Sequence, residues 1–354
     1  MSKQPGRLGD PNMTLATDPR LDPRIKAVIE MAGDLAPGVD TPAAGASYED
    51  GVAYTNAFEA AGAAMHEAAW AMMPAFDDIE ISQQTIAGVD GNDITLHIHR
   101  AKTQTGPAPC IVHTHGGGMV LMTAEDPGFV RLRNDLARAG NVVVGVEFRN
   151  GGGRLGNHPF PAGLNDCASA VQWVHDQRAA LQLSSIVVSG ESGGGNLAIA
   201  TTLKAKQEGW SDRIDGVYAM CPYISGQYAP PAEALPSLIE NDDYMLNGPM
   251  MAVMVTVYDP TGAHRGNPLA WPLHASSTDL AGLPPHVVSV NELDPLRDEG
   301  LSFYRNLLAA GVSAVARTVH GTPHAGDGTF PDFVPDIYQE TVRSISGFAR
   351  SVAS

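Results

Sequence analysis

The sequence contains no apolar run approaching the ~20 residues that a membrane-spanning helix needs. Its opening, Met1-Ser2-Lys3-Gln4-Pro5-Gly6-Arg7, has basic residues but no apolar segment behind them, which is not the pattern of a secretory signal. Basic side chains are scarce: 22 Lys and Arg stand against 39 Asp and Glu, for a net charge of −17. That balance argues against nucleic acid and anionic membranes as partners. Cysteine is scarce too. Cys110, Cys167 and Cys221 are odd in number, far apart and set in or beside apolar runs. They have no metal-type spacing and are expected to be reduced core residues of a cytoplasmic protein. There is no internal repeat.

The chain has 354 residues, 44% of them hydrophobic, enough for one large α/β domain with an insertion or for two domains. Residues 1–21 hold Pro5, Pro11 and Pro19 among polar residues and are expected to form a loose leader. Asp22-Pro23 is a helix start, with Asp as N-cap and Pro at the first helical position. Ile25, Val28, Ile29 and Ala32 then mark one helical face. Pro37 to Gly45 breaks that pattern. Ser47-x-x-Asp50 caps a second helix running to Met73. Trp70, Met72, Met73 and Phe76 are expected to pack into the core, the alternative being that this segment lids a pocket.

From Asp78 the pattern turns to strands. Two of them, 78–86 and 93–100, flank a turn rich in Gly, Asp and Asn. Apolar strands at 110–113, 142–148, 186–189, 214–220, 287–290 and 314–319 then alternate with helices at 129–138, 162–178, 297–308 and 335–352. Such alternation implies a mainly parallel sheet covered on both faces. Residues 223–274, rich in Pro and Met, do not fit it and are read as an insertion folding over the sheet edge.

The chemistry gathers around Gly190-Glu191-Ser192-Gly193-Gly194, between a strand and a helix. This strand–turn–helix arrangement is a nucleophile elbow, with a strained serine held out at the C-terminal edge of a sheet. A serine hydroxyl needs a base to take its proton and an acid to orient the base, and here they are expected in the order Ser, Asp, His. Asp294 lies just past the strand at 287–290, where active-site groups collect. Its rival, Asp298, falls inside the next helix. His324 lies on the loop after the last strand and is preferred over His320, which ends that strand. The loop His115-Gly116-Gly117-Gly118 follows the strand at 110–113 and can turn successive N–H groups toward one point. With the N–H of Gly193 it supplies donors for an oxyanion.

His115-Gly116-Gly117-Gly118, Gly190-Glu191-Ser192-Gly193-Gly194-Gly195-Asn196-Leu197, Asp294-Pro295-Leu296-Arg297-Asp298-Glu299 and Gly321-x-x-His324 together resemble the hormone-sensitive-lipase family of α/β-hydrolase esterases. The resemblance covers roughly residues 78–350, with all four motifs in family order. It implies the α/β class and the α/β-hydrolase fold: a mainly parallel central sheet flanked by helices, with a helical cap. It implies a cofactor-free serine carboxylesterase with Ser192, Asp294 and His324 as triad and oxyanion donors on Gly117, Gly118 and Gly193. Family members build the cap from an N-terminal helical segment and an insertion. Here these match residues 22–77 and 223–274, leaving 78–222 and 275–354 as the hydrolase core.

The chain departs from the family pattern in places. Many members have Asp and Ala where this chain has Glu191 and Gly193. Phe148-Arg149-Asn150-Gly151-Gly152-Gly153-Arg154 replaces a commoner Tyr-Arg-Leu-Ala-Pro-Glu run and is more similar to a macrolactone-hydrolysing branch. The partner implied is a small or medium soluble ester, with no nucleic acid and no membrane; a homodimer is left open. A lactonase or amidase with the same triad is the alternative within enzymes. A non-catalytic receptor on the same fold is the alternative outside them. Two further patterns are read as incidental. Gly151-x-Gly153-x-x-Gly156 fits a dinucleotide fingerprint, but Pro159 and Pro161 interrupt the helix it needs. His97-x-His99 and His113-x-His115 have no clear third ligand, so no metal site is expected.

Overall fold

The computed structural model describes residues 4–32 and 38–353. Before the sheet come α1 (Gly6–Gly9), α2 (Pro23–Ala32) and α3 (Tyr48–Ala71). The helix expected after Ser47 begins there: Ser47 Oγ accepts the N–H of Asp50 at 3.1 Å. The strands are β1 (Ile79–Ala87), β2 (Asp93–Ala101), β3 (Ala108–Thr114), β4 (Val142–Glu147), β5 (Leu183–Glu191), β6 (Gly216–Met220), β7 (His286–Leu293) and β8 (Ala314–Pro323). They form one sheet in the order β1-β2-β4-β3-β5-β6-β7-β8. β2 runs antiparallel to both β1 and β4. From β4 across to β8 every pairing is parallel.

Helices cover both faces, so the central strands are apolar on both sides. α4 (Pro127–Arg138), α5 (Ala162–Asp176) and α6 (Gly193–Glu208) follow β3, β4 and β5. α7 (Ser237–Glu240), α8 (Gly248–Tyr258) and α9 (Ser277–Leu280) lie between β6 and β7. α10 (Arg297–Ala309), α11 (Gly326–Thr329) and α12 (Pro335–Ser351) complete the chain. Along β3 the alternation is visible residue by residue. Cys110 and Val112 join the core facing α5 and α6, while Ile111 joins the core facing α4 and α12. All three cysteines are buried free thiols. Among the described residues no helix is long and apolar enough to cross a membrane.

Residues 223–274 contribute no strand of the sheet, and their α8 packs on α3. Gly51 allows this approach, since a Cβ there would sit 2.7 Å from Val257 Cγ2.

Three expectations are corrected. The described part of the leader, 4–21, is packed: Leu15 and Leu21 are buried beside Ile25, Tyr244 and Leu293, and Arg20 pairs with Asp18 and with Glu240 of α7, while residues 1–3 lie outside the described residues. Trp70 and Met72, at the end of α3, do not enter the core, being 47% and 60% exposed. An apolar run says nothing about which side it presents, and here Trp70 lines an open cleft beside β1 and β2. Phe76, beyond the helix, does pack against the core as expected, and it also carries the Arg138 guanidinium 4.1 Å above its ring. Finally, β8 runs through His320 to Pro323, four residues past the 314–319 stretch read from the sequence. The side chain of Ala32 and residue Pro37 lie outside the described residues.

Candidate active site

Ser192 sits between β5 and α6 with φ 57 and ψ −118, a backbone region that non-glycine residues rarely adopt. The turn is locked on both sides. The Ser192 N–H donates to Met220 O at 2.9 Å, and its carbonyl accepts from Asn196 and Tyr223. The flanking glycines are obligatory. A Cβ on Gly190 would lie 2.4 Å from Thr114 O, and one on Gly194 only 1.9 Å from the same atom. The motif is thus a true elbow, pressed against the end of β3.

Asp294 and His324 are brought together from the ends of β7 and β8. His324 Nδ1 donates to Asp294 Oδ2 at 2.9 Å. Asp294 is fully buried, and its Oδ1 accepts the N–H of Leu296 at 2.9 Å. Burial alone would lower the His324 pKa, but the Asp294 carboxylate outweighs it and holds the pKa well above the usual imidazole value. The Cys221 thiol also lies against this pair. Ser192 and His324 line the same cavity, and no hydrogen bond joins Oγ to Nε2. Such bonds often form only when substrate is bound.

The rivals are placed elsewhere. Asp298 is in the first turn of α10, accepting the N–H of Ser237 at 2.8 Å and Arg297 Nε at 3.0 Å. His320 is 77% exposed at its side chain and reaches Glu292 at 3.2 Å.

The glycine loop adjoins the elbow. Gly117 and Gly118 both have positive φ, 98 and 61. The Gly117 carbonyl accepts from Val120 and Leu121 at 3.0 Å each. In a trans peptide the N–H points opposite to the C=O. The Gly118 N–H therefore turns away from those two residues, toward the elbow. Likewise His115 Nδ1 donates to the Gly116 carbonyl at 2.9 Å, which orients the Gly117 N–H. A Cβ on Gly193 would stand 2.6 Å from Gly118 N, so loop and elbow touch. The three glycines named from sequence thus share one small volume.

The cavity holds about 270 Å³ and also takes in Met65 of α3, Met122, Met245, and Met250, Met251 and Met254 at α8. Met250, Met251 and Met254 belong to the Met-rich stretch 223–274, whose composition alone did not say which of its residues face the pocket. Met122 and Met245 carry no sequence signal of their role. A larger cleft of about 1130 Å³ lies between α3 and β1–β2, lined by Trp70, His97 and Arg133. Ser192 is not part of it, so the smaller cavity is the chemically relevant one. His97 and His99 have local partners: His97 Nδ1 meets Gln83 Nε2 at 3.4 Å, and His99 lies between Asn134 and Arg133. Burial, with Arg133 nearby, lowers the His99 pKa to about 3. Gly151, Gly153 and Gly156 surround a short 3₁₀ turn, Gly153–Leu155, and α5 begins only at Ala162.

Residues 111–326 match a family described as having the alpha/beta hydrolase fold. Among solved structures, brefeldin A esterase, described as a bacterial homologue of human hormone sensitive lipase, is 46% identical over 99% of both chains, with a TM-score of 0.90. Esterase Est22 is 37% identical over 96% of this chain and 99% of its own, with a TM-score of 0.82. Carboxylesterase NlhH of Mycobacterium tuberculosis is 29% identical over 284 residues, 78% of this chain and 84% of its own.

Proposed function

Because the chain belongs to the α/β-hydrolase family, on its hormone-sensitive-lipase branch, we propose that it hydrolyses carboxylic esters with Ser192 as nucleophile, His324 as base and Asp294 as orienting acid. One observation carries this reading: the 2.9 Å bond from His324 Nδ1 to Asp294, in a cavity that also contains Ser192 and the glycine loop. With Nδ1 occupied as donor, neutral His324 carries its free lone pair on Nε2.

His324 Nε2 takes the Ser192 proton as Oγ bonds to the ester carbonyl carbon. The carbonyl π pair moves onto oxygen, and the N–H groups of Gly117, Gly118 and Gly193 stabilise that charge. The intermediate collapses with cleavage of the C–O bond, and His324 protonates the departing alkoxide. Water then attacks the acyl-enzyme by the same sequence, releasing acid and restoring the serine. Asp294 stabilises the imidazolium that forms twice per cycle.

The substrate is a small or medium soluble ester bound whole. About 270 Å³ lined by thioethers suits a short acyl chain of varied shape. A net charge of −17 opposes docking onto anionic lipid surfaces. The test is rate against concentration across the solubility limit, for esters of short and long acyl chains. Short chains should be preferred, with no jump as droplets form. Such a jump on a long-chain ester would contradict the reading and indicate a lipase.

A further inference from the structure

We infer that Glu191, paired with His113, is the positioning residue that sets the oxyanion loop against the elbow. This inference rests on the ester-hydrolysis reading above. Glu191 ends β5, directly before Ser192. Its Oε1 accepts the N–H of Gly116 at 3.0 Å, and its Oε2 accepts from His113 Nε2 at 3.0 Å. One carboxylate thus grips the first glycine of the loop and the strand that leads into it. The same residue is two positions from Gly193, which contributes the third donor.

The remaining loop peptides are already pinned, by His115 on the Gly116 carbonyl and by Val120 and Leu121 on the Gly117 carbonyl. The Gly116 N–H is the point at which the loop is tied to the elbow side. Without that tie, the Gly116 peptide could swing and carry the pinned peptides behind it away from the elbow, because glycine crosses φ space at little cost. Misplacing a donor by about 1 Å is enough to lose roughly 10²-fold in rate.

The carboxylate is also partnered. Glu191 is buried, and a lone carboxylate there would repel the oxyanion forming at Ser192. His113, itself 1% exposed, donates to that carboxylate, so it is not left unpaired. Burial pushes the Glu191 pKa up, but His113, with help from His115 and the Gly116 N–H, brings it below the usual carboxylate value. Glu191 therefore stays ionised at neutral pH, and its grip on Gly116 is charge-assisted.

The full-length Glu191→Gln protein tests this. With p-nitrophenyl acetate its kcat should fall roughly 10²-fold while KM stays within about threefold. Affinity for an aryl trifluoromethyl ketone, to which Ser192 adds to give a tetrahedral alkoxide, should fall by the same factor as kcat/KM. A kcat within about threefold of the parent, or a fall in kcat with unchanged ketone affinity, would overturn the inference. Glu191→Asp keeps the charge but is one methylene short of Gly116; it should show the same paired losses and serves if the Gln variant does not fold. Failure of the underlying reading looks different: the parent would not hydrolyse esters, or Ser192→Ala would remain active.

Discussion

Asn241 Nδ2 donates to the backbone carbonyl of Asp294 at 3.0 Å and to that of Glu292 at 3.2 Å. Its Oδ1 accepts from Arg20 Nη2 at 3.0 Å. Arg20 in turn pairs with Glu240, which accepts Arg297 Nη1 and Nη2 at 2.8 Å each. The N-terminal segment, the insertion and the loop carrying Asp294 therefore form one network. Asn241→Ala leaves two buried carbonyls without this donor. It should destabilise the fold by about 1–3 kcal/mol and lower kcat by roughly tenfold through displacement of Asp294. Urea midpoints and steady-state kinetics on one preparation check both, and unchanged values for both would show that Asn241 does not hold the acid loop.

The His324 pKa, raised by Asp294 above the usual imidazole value, predicts an alkaline activity profile. Only neutral imidazole can take the serine proton, so kcat/KM should rise with pH well past 6.5 before reaching a plateau. Asp294→Asn removes the charge that raises it. The acid limb should then move to lower pH while kcat falls about 10⁴-fold. A pH–rate profile of the two proteins decides this, and an unmoved limb would assign it to another group.

Glu299 is fully buried beneath the insertion, accepting the N–H of Ile224 at 2.8 Å and the Tyr228 hydroxyl at 3.1 Å. Burial, reinforced by Asp294, outweighs these donors and raises its pKa from 4.5 to about 8. The folded state thus holds a proton that the unfolded chain has released. That contribution is fully present below pH 4.5 and is lost as pH rises through about 8, at up to about 1.4 kcal/mol per unit. Relative to Glu299→Gln, the parent should lose urea stability steadily from pH 5 to 8. Parallel curves would place the Glu299 pKa near its ordinary value.

Gly193 touches the oxyanion loop so closely that a methyl group there would meet Gly118 N and Met119 N, both at 2.6 Å. Backbone atoms cannot yield as a flexible side chain can. Gly193→Ala should therefore lower kcat by at least ~10², the scale of losing one oxyanion donor. The check is kcat with p-nitrophenyl acetate, with folding followed by circular dichroism. Full activity would mean that the loop relaxes away without harm to the donors.

Much of this site was legible because its signals are local. Gly190, Ser192 and Gly194 sit in one turn whose sterics demand glycine, and Asp294 and His324 each fall just past a strand. His324 could be preferred over His320 from strand position alone, although β8 proved longer than its apolar stretch. Pairings across the fold were not legible. Arg20 meets Glu240 across 220 positions, and His113 meets Glu191 across 78. Neither pairing has any periodicity to announce it. Proline and polar residues made the leader look loose, while its buried contacts come from Leu15 and Leu21. Trp70 and Met72 failed in the opposite sense, because apolar character alone does not say whether a helix end is covered.

The central claim is that Ser192 forms the acyl-enzyme. The direct measurement is intact-protein and peptide mass after treatment with a fluorophosphonate, alongside turnover of p-nitrophenyl acetate. The parent should gain a single phosphonyl group on the peptide containing Ser192 and lose all activity. Ser192→Ala should take up no label and turn over about 10⁴-fold more slowly or worse, with its fold intact. Labelling at another residue, or activity of Ser192→Ala within tenfold of the parent, would contradict the account.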